Sequence, residues 1–367
     1  MQPFIDLQRQ YRENREAIDR QIHEVLDSSA YILGPKVEEV ESRLAEMAGV
    51  GHAVAVGSGT QALLLALMAK GVGRGDEVIT TPFTFIATAE VIALVGAVPV
   101  FVDVEEDTYN IDPGLIEEKI TGRTRAILPV DLFGQCADYE RIEQIASRHN
   151  LLVIEDAAQS FGAEQNGRRA CSFGDVSCTS FYPAKPLGCY GDGGMVFVDS
   201  DDAVTEVLRS LRVHGGGAGR YESVRIGTCA RLDAIQAAVL LAKLPKFAWE
   251  IEQRQRVAAR YSEALAELAV TPAVRPGNLS AWAQYCIRVK DRDGVRERLG
   301  EAGVPTAVFY PKPLHLQEAF ADLGHGEGDF PVSEAVSRDI VALPMHPYLD
   351  EQSQDDIVAH VRAAAGG

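Results

Sequence analysis

Apolar residues along this chain recur in two rhythms, short continuous runs and helical spacings, and through the first two thirds the two alternate. Short apolar runs read as strands at 53–56, 77–80, 98–102, 125–130, 151–155, 175–181 and 195–198. Helical spacing covers 10–28, where Ile18, Ile22, Val25 and Leu26 share a face, and recurs at 37–48, 61–70, 84–95 and 138–149. Strands alternating with helices in this way predict an α/β domain around a mostly parallel sheet. Beyond Arg231 the pattern changes. A helix at 232–244 meets a longer one at 246–268 at Pro245, and strands at 285–289 and 306–309 then alternate with helices at 293–302 and 332–340. The expected organisation is a large domain at 1–245 and a smaller C-terminal α/β domain at 246–367.

Ligands of parallel sheets collect beyond the carboxyl ends of the strands. Four stretches fall there: Ser58-Gly59-Thr60, Phe83 to Phe85, Asp156 to Gln159, and Ser180 to Lys185. The first follows a strand and opens a helix, so its unpaired amides form an anion site. The last places a single lysine, Lys185, in an apolar, glycine-rich loop between two strands. A lysine sheltered there loses hydration, its amine pKa falls, and it becomes a nucleophile near neutral pH, as a Schiff-base lysine must. Asp156, carried to a strand tip by the run Leu151-Leu152-Val153-Ile154, offers a carboxylate.

That pairing suits pyridoxal 5'-phosphate. The lysine forms an imine with the aldehyde, and the carboxylate keeps the pyridine nitrogen protonated so that the ring accepts electrons. Gly59, Thr60 and Ser180 can hold the phosphate, and Phe85 can cover the ring face. Taken singly, each has a structural reading: Asp156 a helix cap, Ser180 a strand hydroxyl, Phe85 core. Their common location at one sheet edge favours the cofactor.

Composition narrows the partners. A formal net charge of -18 argues against nucleic acid and anionic membrane surfaces, and requires an anionic substrate to be met by a local cationic cluster. Arg212, His214, Arg220, Arg225 and Arg231 are the candidates, around the run Gly215-Gly216-Gly217-Ala218-Gly219, a candidate mobile loop, with Lys312 and His315 in the second domain. The six cysteines have no metal-ligand spacing, so no metal is expected and reduced thiols in a cytoplasm are the default. The start of the chain does not read as a signal peptide, and no apolar run approaches the ~20 residues of a spanning helix.

The set Gly59-Thr60, Glu155-Asp156-Ala157-Ala158-Gln159-Ser160, Ser180-Phe181-Tyr182-Pro183-Ala184-Lys185, Gly191-Asp192-Gly193-Gly194 and Arg231-Leu232-Asp233 resembles the DegT/StrS family of sugar-nucleotide aminotransferases. The resemblance implies the aspartate aminotransferase-like fold (fold type I), pyridoxal 5'-phosphate as cofactor, glutamate as amino donor, a nucleotide-sugar substrate, and a homodimer with shared active sites. By position it implies Lys185 as Schiff-base lysine and proton shuttle, Asp156 as pyridinium partner, and Gln159 near the ring hydroxyl. It implies phosphate contacts from Gly59, Thr60 and Ser180, stacking by Phe85, and substrate contacts from Tyr31, Arg231, Tyr310 and His315. The runs 134–138, 185–194 and 343–348 are similar to the subgroup acting on a UDP-linked 2-acetamido-3-oxo-glucuronate. Amination of a 4-keto-6-deoxy sugar nucleotide is the alternative, and a non-catalytic cofactor-binding regulator the rival from another class. A sugar dehydratase with histidine in place of the lysine is disfavoured by Lys185. Cys229 stands where the family has an asparagine that crosses the dimer to the phosphate, and a thiol is a weak donor. Ala184 and Phe309 replace a serine and a histidine of the subgroup.

Overall fold

The computed structural model describes residues 3–219 and 221–366. Helices α1 (Leu7–Ser28) and α2 (Pro35–Ala48) lead to β1 (His52–Val56), α3 (Gly59–Ala69), β2 (Glu77–Thr80), α4 (Ala87–Leu94), β3 (Val98–Phe101), β4 (Thr124–Ile127), α5 (Tyr139–His149) and β5 (Leu152–Asp156). A small hairpin, β6 (Glu164–Gln165) and β7 (Arg168–Arg169), precedes β8 (Val176–Ser180) and β9 (Gly194–Val198). Seven of these strands form one sheet in the order β1-β9-β8-β5-β4-β2-β3, with β9 antiparallel to both neighbours and the remaining pairs parallel. The mostly parallel α/β sheet expected from the alternation is present.

Burial on both faces explains why the strands read as unbroken apolar runs. Along β1, Ala53 and Ala55 pack with α2 and α7 (Ala234–Leu265), whereas Val54 and Val56 pack with α3 and α6 (Asp202–Leu211). Val153 and Ile154 of β5 divide in the same way. Helices therefore cover both faces, and the parallel strands all direct their carboxyl ends to one edge.

Toward the C-terminus, the far end of α7 (Ala234–Leu265), α8 (Arg292–Glu301), α10 (Glu351–Ala365) and the antiparallel pair β11 (Tyr285–Arg288) and β12 (Ile340–Leu343) share one apolar cluster, while α9 (Pro331–Asp339) packs through Val336 against Phe83 and Tyr109; β10 (Asn278–Leu279) joins the β6–β7 hairpin. Several expectations need correction. Helices 232–244 and 246–268 are one 32-residue helix running through Pro245. The proline removes one backbone bond, but Lys243 and Phe247 are buried on either side of it, and packing carries the helix across. The expected strand at 306–309 amounts to one bridge between Ala307 and Ala342. Ile340 opens β12 rather than ending a helix. α6 (Asp202–Leu211) and α10 were not anticipated. Within the glycine run at 215–219, the Gly217 amide donates to the Glu222 carbonyl at 2.9 Å, a contact that leaves the expected mobility of the run untested.

Among the described residues, no helix is long and apolar enough to cross a membrane. Arg212, a candidate substrate cation, is instead structural. It is 8% exposed and donates to Glu41 and to the Ala55 carbonyl, while Glu41 also accepts the Ala55 amide at 2.8 Å. Replacing one partner of a buried pair strands the other charge, so Arg212→Met should lose about 3–5 kcal/mol in urea unfolding. A loss of about 1 kcal/mol or less, the scale of exposed pairs, would contradict that role.

Candidate active site

The turn after β1 opens α3, with Ser58 capping the helix by accepting the Gln61 amide at 3.1 Å. The helix's first free amides, at Gly59 and Thr60, point outward with partial positive charge. Ser180, the last residue of β8, stands so close that a Cβ on Gly59 would lie 2.7 Å from the Ser180 Cβ. Gly194 abuts the same turn, since a Cβ there would lie 2.4 Å from the Ser58 carbonyl carbon. Amides, a hydroxyl and bare backbone thus share a cradle that fits a phosphate.

Asp156, the last residue of β5, is 4% exposed. Its Oδ2 accepts from Thr88 Oγ1 at 2.8 Å and its Oδ1 accepts the Ala158 amide at 3.1 Å. Thr88 is a site residue that sequence reasoning missed. Its signal was available: Thr84 and Thr88 sit four positions apart in an apolar segment, and their hydroxyls lie 3.3 Å from each other. Burial raises the Asp156 carboxyl pKa, while Thr88, the Ala158 amide and the Lys185 charge oppose the rise. A protonated ring nitrogen at this carboxylate would add a further lowering influence.

Lys185 is half-buried, in the turn that follows Ser180. Desolvation draws its amine down to about 8, with the Asp156 carboxylate pulling the other way. Gln159, 4% exposed, accepts the Phe133 amide at 2.8 Å through Oε1 and donates from Nε2 to the Tyr310 hydroxyl at 3.2 Å. The Phe85 ring, 55% exposed, lies 6.4 Å from the Tyr310 ring. Arg231 is half-buried. Its backbone backs the phosphate turn: a Cβ on Gly57 would lie 3.2 Å from the Arg231 carbonyl oxygen. Cys229 is exposed, its carbonyl accepting from Gln61 Nε2 at 3.1 Å. Tyr31 stands next to this segment, its carbonyl accepting the Ala234 amide at 3.0 Å.

His315 is enclosed. Its side chain has no exposed surface; Nε2 is 3.2 Å from Glu334 Oε1 and the ring lies 4.6 Å from that of Phe330. Of the cation candidates, His214, Arg225 and Lys312 are exposed, and Arg220 lies outside the described residues.

A lysine with a depressed amine, a buried carboxylate and a helix-end phosphate cradle on one edge of a 3-2-4-5-8-9-1 sheet mark a pyridoxal-phosphate enzyme of the aspartate aminotransferase type. The chain belongs to the DegT/DnrJ/EryC1/StrS aminotransferase family, whose model matches residues 12–362. It is 49% identical, over 95% of this chain and 96% of the relative, to a UDP-2-acetamido-2-deoxy-3-oxo-D-glucuronate aminotransferase of Pseudomonas aeruginosa. A "pleiotropic regulatory protein" of Geobacillus stearothermophilus is 45% identical over 98% of this chain and 97% of its own. A solved structure of a family aminotransferase from Brucella abortus superposes with a TM-score of 0.95 at 47% identity, covering 100% of both chains. The protein is a pyridoxal-phosphate-dependent aminotransferase.

The Lys185 amine sets a testable pH dependence. In the cofactor-free protein, its modification by an amine reagent should rise with pH through a midpoint near 8, because only the neutral amine reacts. Asp156→Asn removes the opposing charge and should move the midpoint lower still. Peptide mass mapping of reductive methylation checks both, and a midpoint near that of the exposed lysines would contradict the sheltering.

Proposed function

We propose that the enzyme transfers the amino group of glutamate to carbon 3 of a UDP-linked 2-acetamido-3-oxo-glucuronate. The observation that carries this reading is the 49% identity, along almost the whole chain, to a relative named for that reaction. The relative named as a regulator raises a second possibility, binding without turnover. The presence of Lys185, Asp156, Gln159 and Ser180 together at one sheet edge favours turnover.

Pyridoxal phosphate, when bound, supplies an electron sink for the carbon bearing the amine. We assign the phosphate to the Gly59 and Thr60 amides and the Ser180 hydroxyl. Asp156 would hold the ring nitrogen protonated, Gln159 would meet the ring hydroxyl, and Phe85 would cover one face. Lys185 Nζ would move a proton in each half-reaction, from the glutamate α-carbon to the cofactor carbon that bears the aldehyde, and later from that carbon to carbon 3 of the sugar. Tyr31, Tyr310 and Arg231 face the substrate; a planar guanidinium can grip the sugar carboxylate with two parallel bonds. The working unit is a homodimer in the cytoplasm. Supporting the dimer, Ile226 just before Cys229 is 87% exposed and offers apolar surface to a second copy.

Lys185→Ala should abolish turnover yet still retain cofactor by its other contacts, which a spectrum after gel filtration reports. Near wild-type turnover would end the assignment. Arg231→Lys should impair the 3-oxo-glucuronate substrate about tenfold more than a neutral 3-keto analogue, since an ammonium cannot make the paired contact. A wild-type preference for a neutral 4-keto-6-deoxy sugar nucleotide in a side-by-side assay would select the alternative instead.

Cys229→Asn should slow loss of cofactor on dialysis, the gain being on the order of 1.5–3 kcal/mol for one hydrogen bond to a charged group. Unchanged or faster loss would mean that another group already fills the position.

A further inference from the structure

Helix α7 faces the segment that carries Lys185 with Gln236 and Lys243, which two helical turns place on the same side. Gln236 Oε1 accepts the Tyr190 amide at 2.9 Å. Lys243 Nζ donates to the Gly188 carbonyl at 2.6 Å and lies 4.3 Å from the centroid of the Tyr190 ring. The segment also closes on itself: the Lys185 amide donates to the Tyr182 carbonyl at 2.8 Å, and the Cys189 amide to the Phe181 carbonyl at 2.8 Å. At Gly188 the backbone doubles back so closely that a Cβ would stand 2.5 Å from the Pro183 carbonyl oxygen. The carbonyl that Lys243 holds therefore belongs to the same tight turn as Lys185.

Lys243 is 3% exposed, far deeper than a lysine ordinarily sits. Burial draws its amine down to about 8, against the opposing influence of Glu250 and the Cys189 thiol. An ammonium removed from water is unfavourable unless its contacts compensate, and methionine would fill similar space without that cost. What distinguishes lysine here is the pair of contacts it makes, one to the backbone of the Lys185 turn and one to the ring that follows it.

We propose that Lys243 is a positioning residue for Lys185: by holding the Gly188 carbonyl and the Tyr190 face, it fixes the turn that aims the Lys185 amine at the cofactor. The inference rests on reading Lys185 as the cofactor-linking lysine, but the order of the turn can be measured without that reading.

Lys243→Met keeps the apolar volume and removes the donor, whereas Lys243→Gln keeps a neutral donor. In the cofactor-free protein, amide exchange over residues 186–193 should accelerate at least tenfold in the methionine variant, with α10 unaffected. The glutamine variant should recover part of the protection. In the holoprotein, the fraction of Lys185 that borohydride fixes to pyridoxal phosphate should fall in the same order. Unchanged exchange over 186–193, or a uniform acceleration that includes α10, would overturn the proposal by making Lys243 an ordinary core residue. Should the methionine variant fail to fold, the glutamine variant is compared with wild type by the same two measurements, and equality in both overturns it. If exchange responds as expected but borohydride labels no Lys185 even in wild type, the assignment of Lys185 fails rather than that of the turn.

Discussion

Three chain segments meet at the phosphate cradle at distances that exclude any side chain beyond hydrogen. Gly59 faces Ser180, and Gly194 faces Ser58, with room for no Cβ at either glycine. This contact joins the start of α3 to the end of β8 and the start of β9, and so joins the free helix-end amides to the turn that bears Lys185. β9 runs against the sheet direction, which brings Gly194 back to the edge where β8 ended. The rest of the site follows from that closure, because Asp156 leaves the neighbouring strand at the same edge.

The tip of β5 separates two carboxylates by function. Asp156 turns to Thr88 and to the space before Lys185. Glu155 turns away, accepting the Cys171 and Phe173 amides at 2.9 and 3.0 Å. Burial raises the pKa of Glu155, and the nearby Asp131 raises it further. Asp131 in turn accepts from Tyr139, Ser160 and the Ala137 amide. This buried acid pair braces the strand from behind. Sequence spacing alone shows two adjacent acids, and only the alternation of a strand assigns them to opposite sides.

The sheet was legible in the sequence because each strand is buried on both faces and so reads as an apolar run; all seven of its strands were located within a residue or a few. The strand-end positions of Gly59, Asp156, Ser180 and Lys185 followed from that alternation. Other features could not be read in this way. Pro245 looked like a helix break because local preference ignores the packing of Lys243 and Phe247 on either side. Arg212 and His315 looked like ligands for anions because residue type does not reveal burial, yet each is enclosed with a carboxylate partner. Lys243 went unnoticed because its partner lies 55 positions away along the chain.

The sheltered Lys185 and the buried Asp156 are the proposed transamination centre. The most direct test is to add L-glutamate alone to the purified holoprotein and quantify the products of the half-reaction. The account predicts one 2-oxoglutarate and one pyridoxamine 5'-phosphate for each site, with Asp156→Ala and Lys185→Ala both failing to make them. Tightly bound pyridoxal phosphate that glutamate leaves unchanged in the wild-type protein would contradict it.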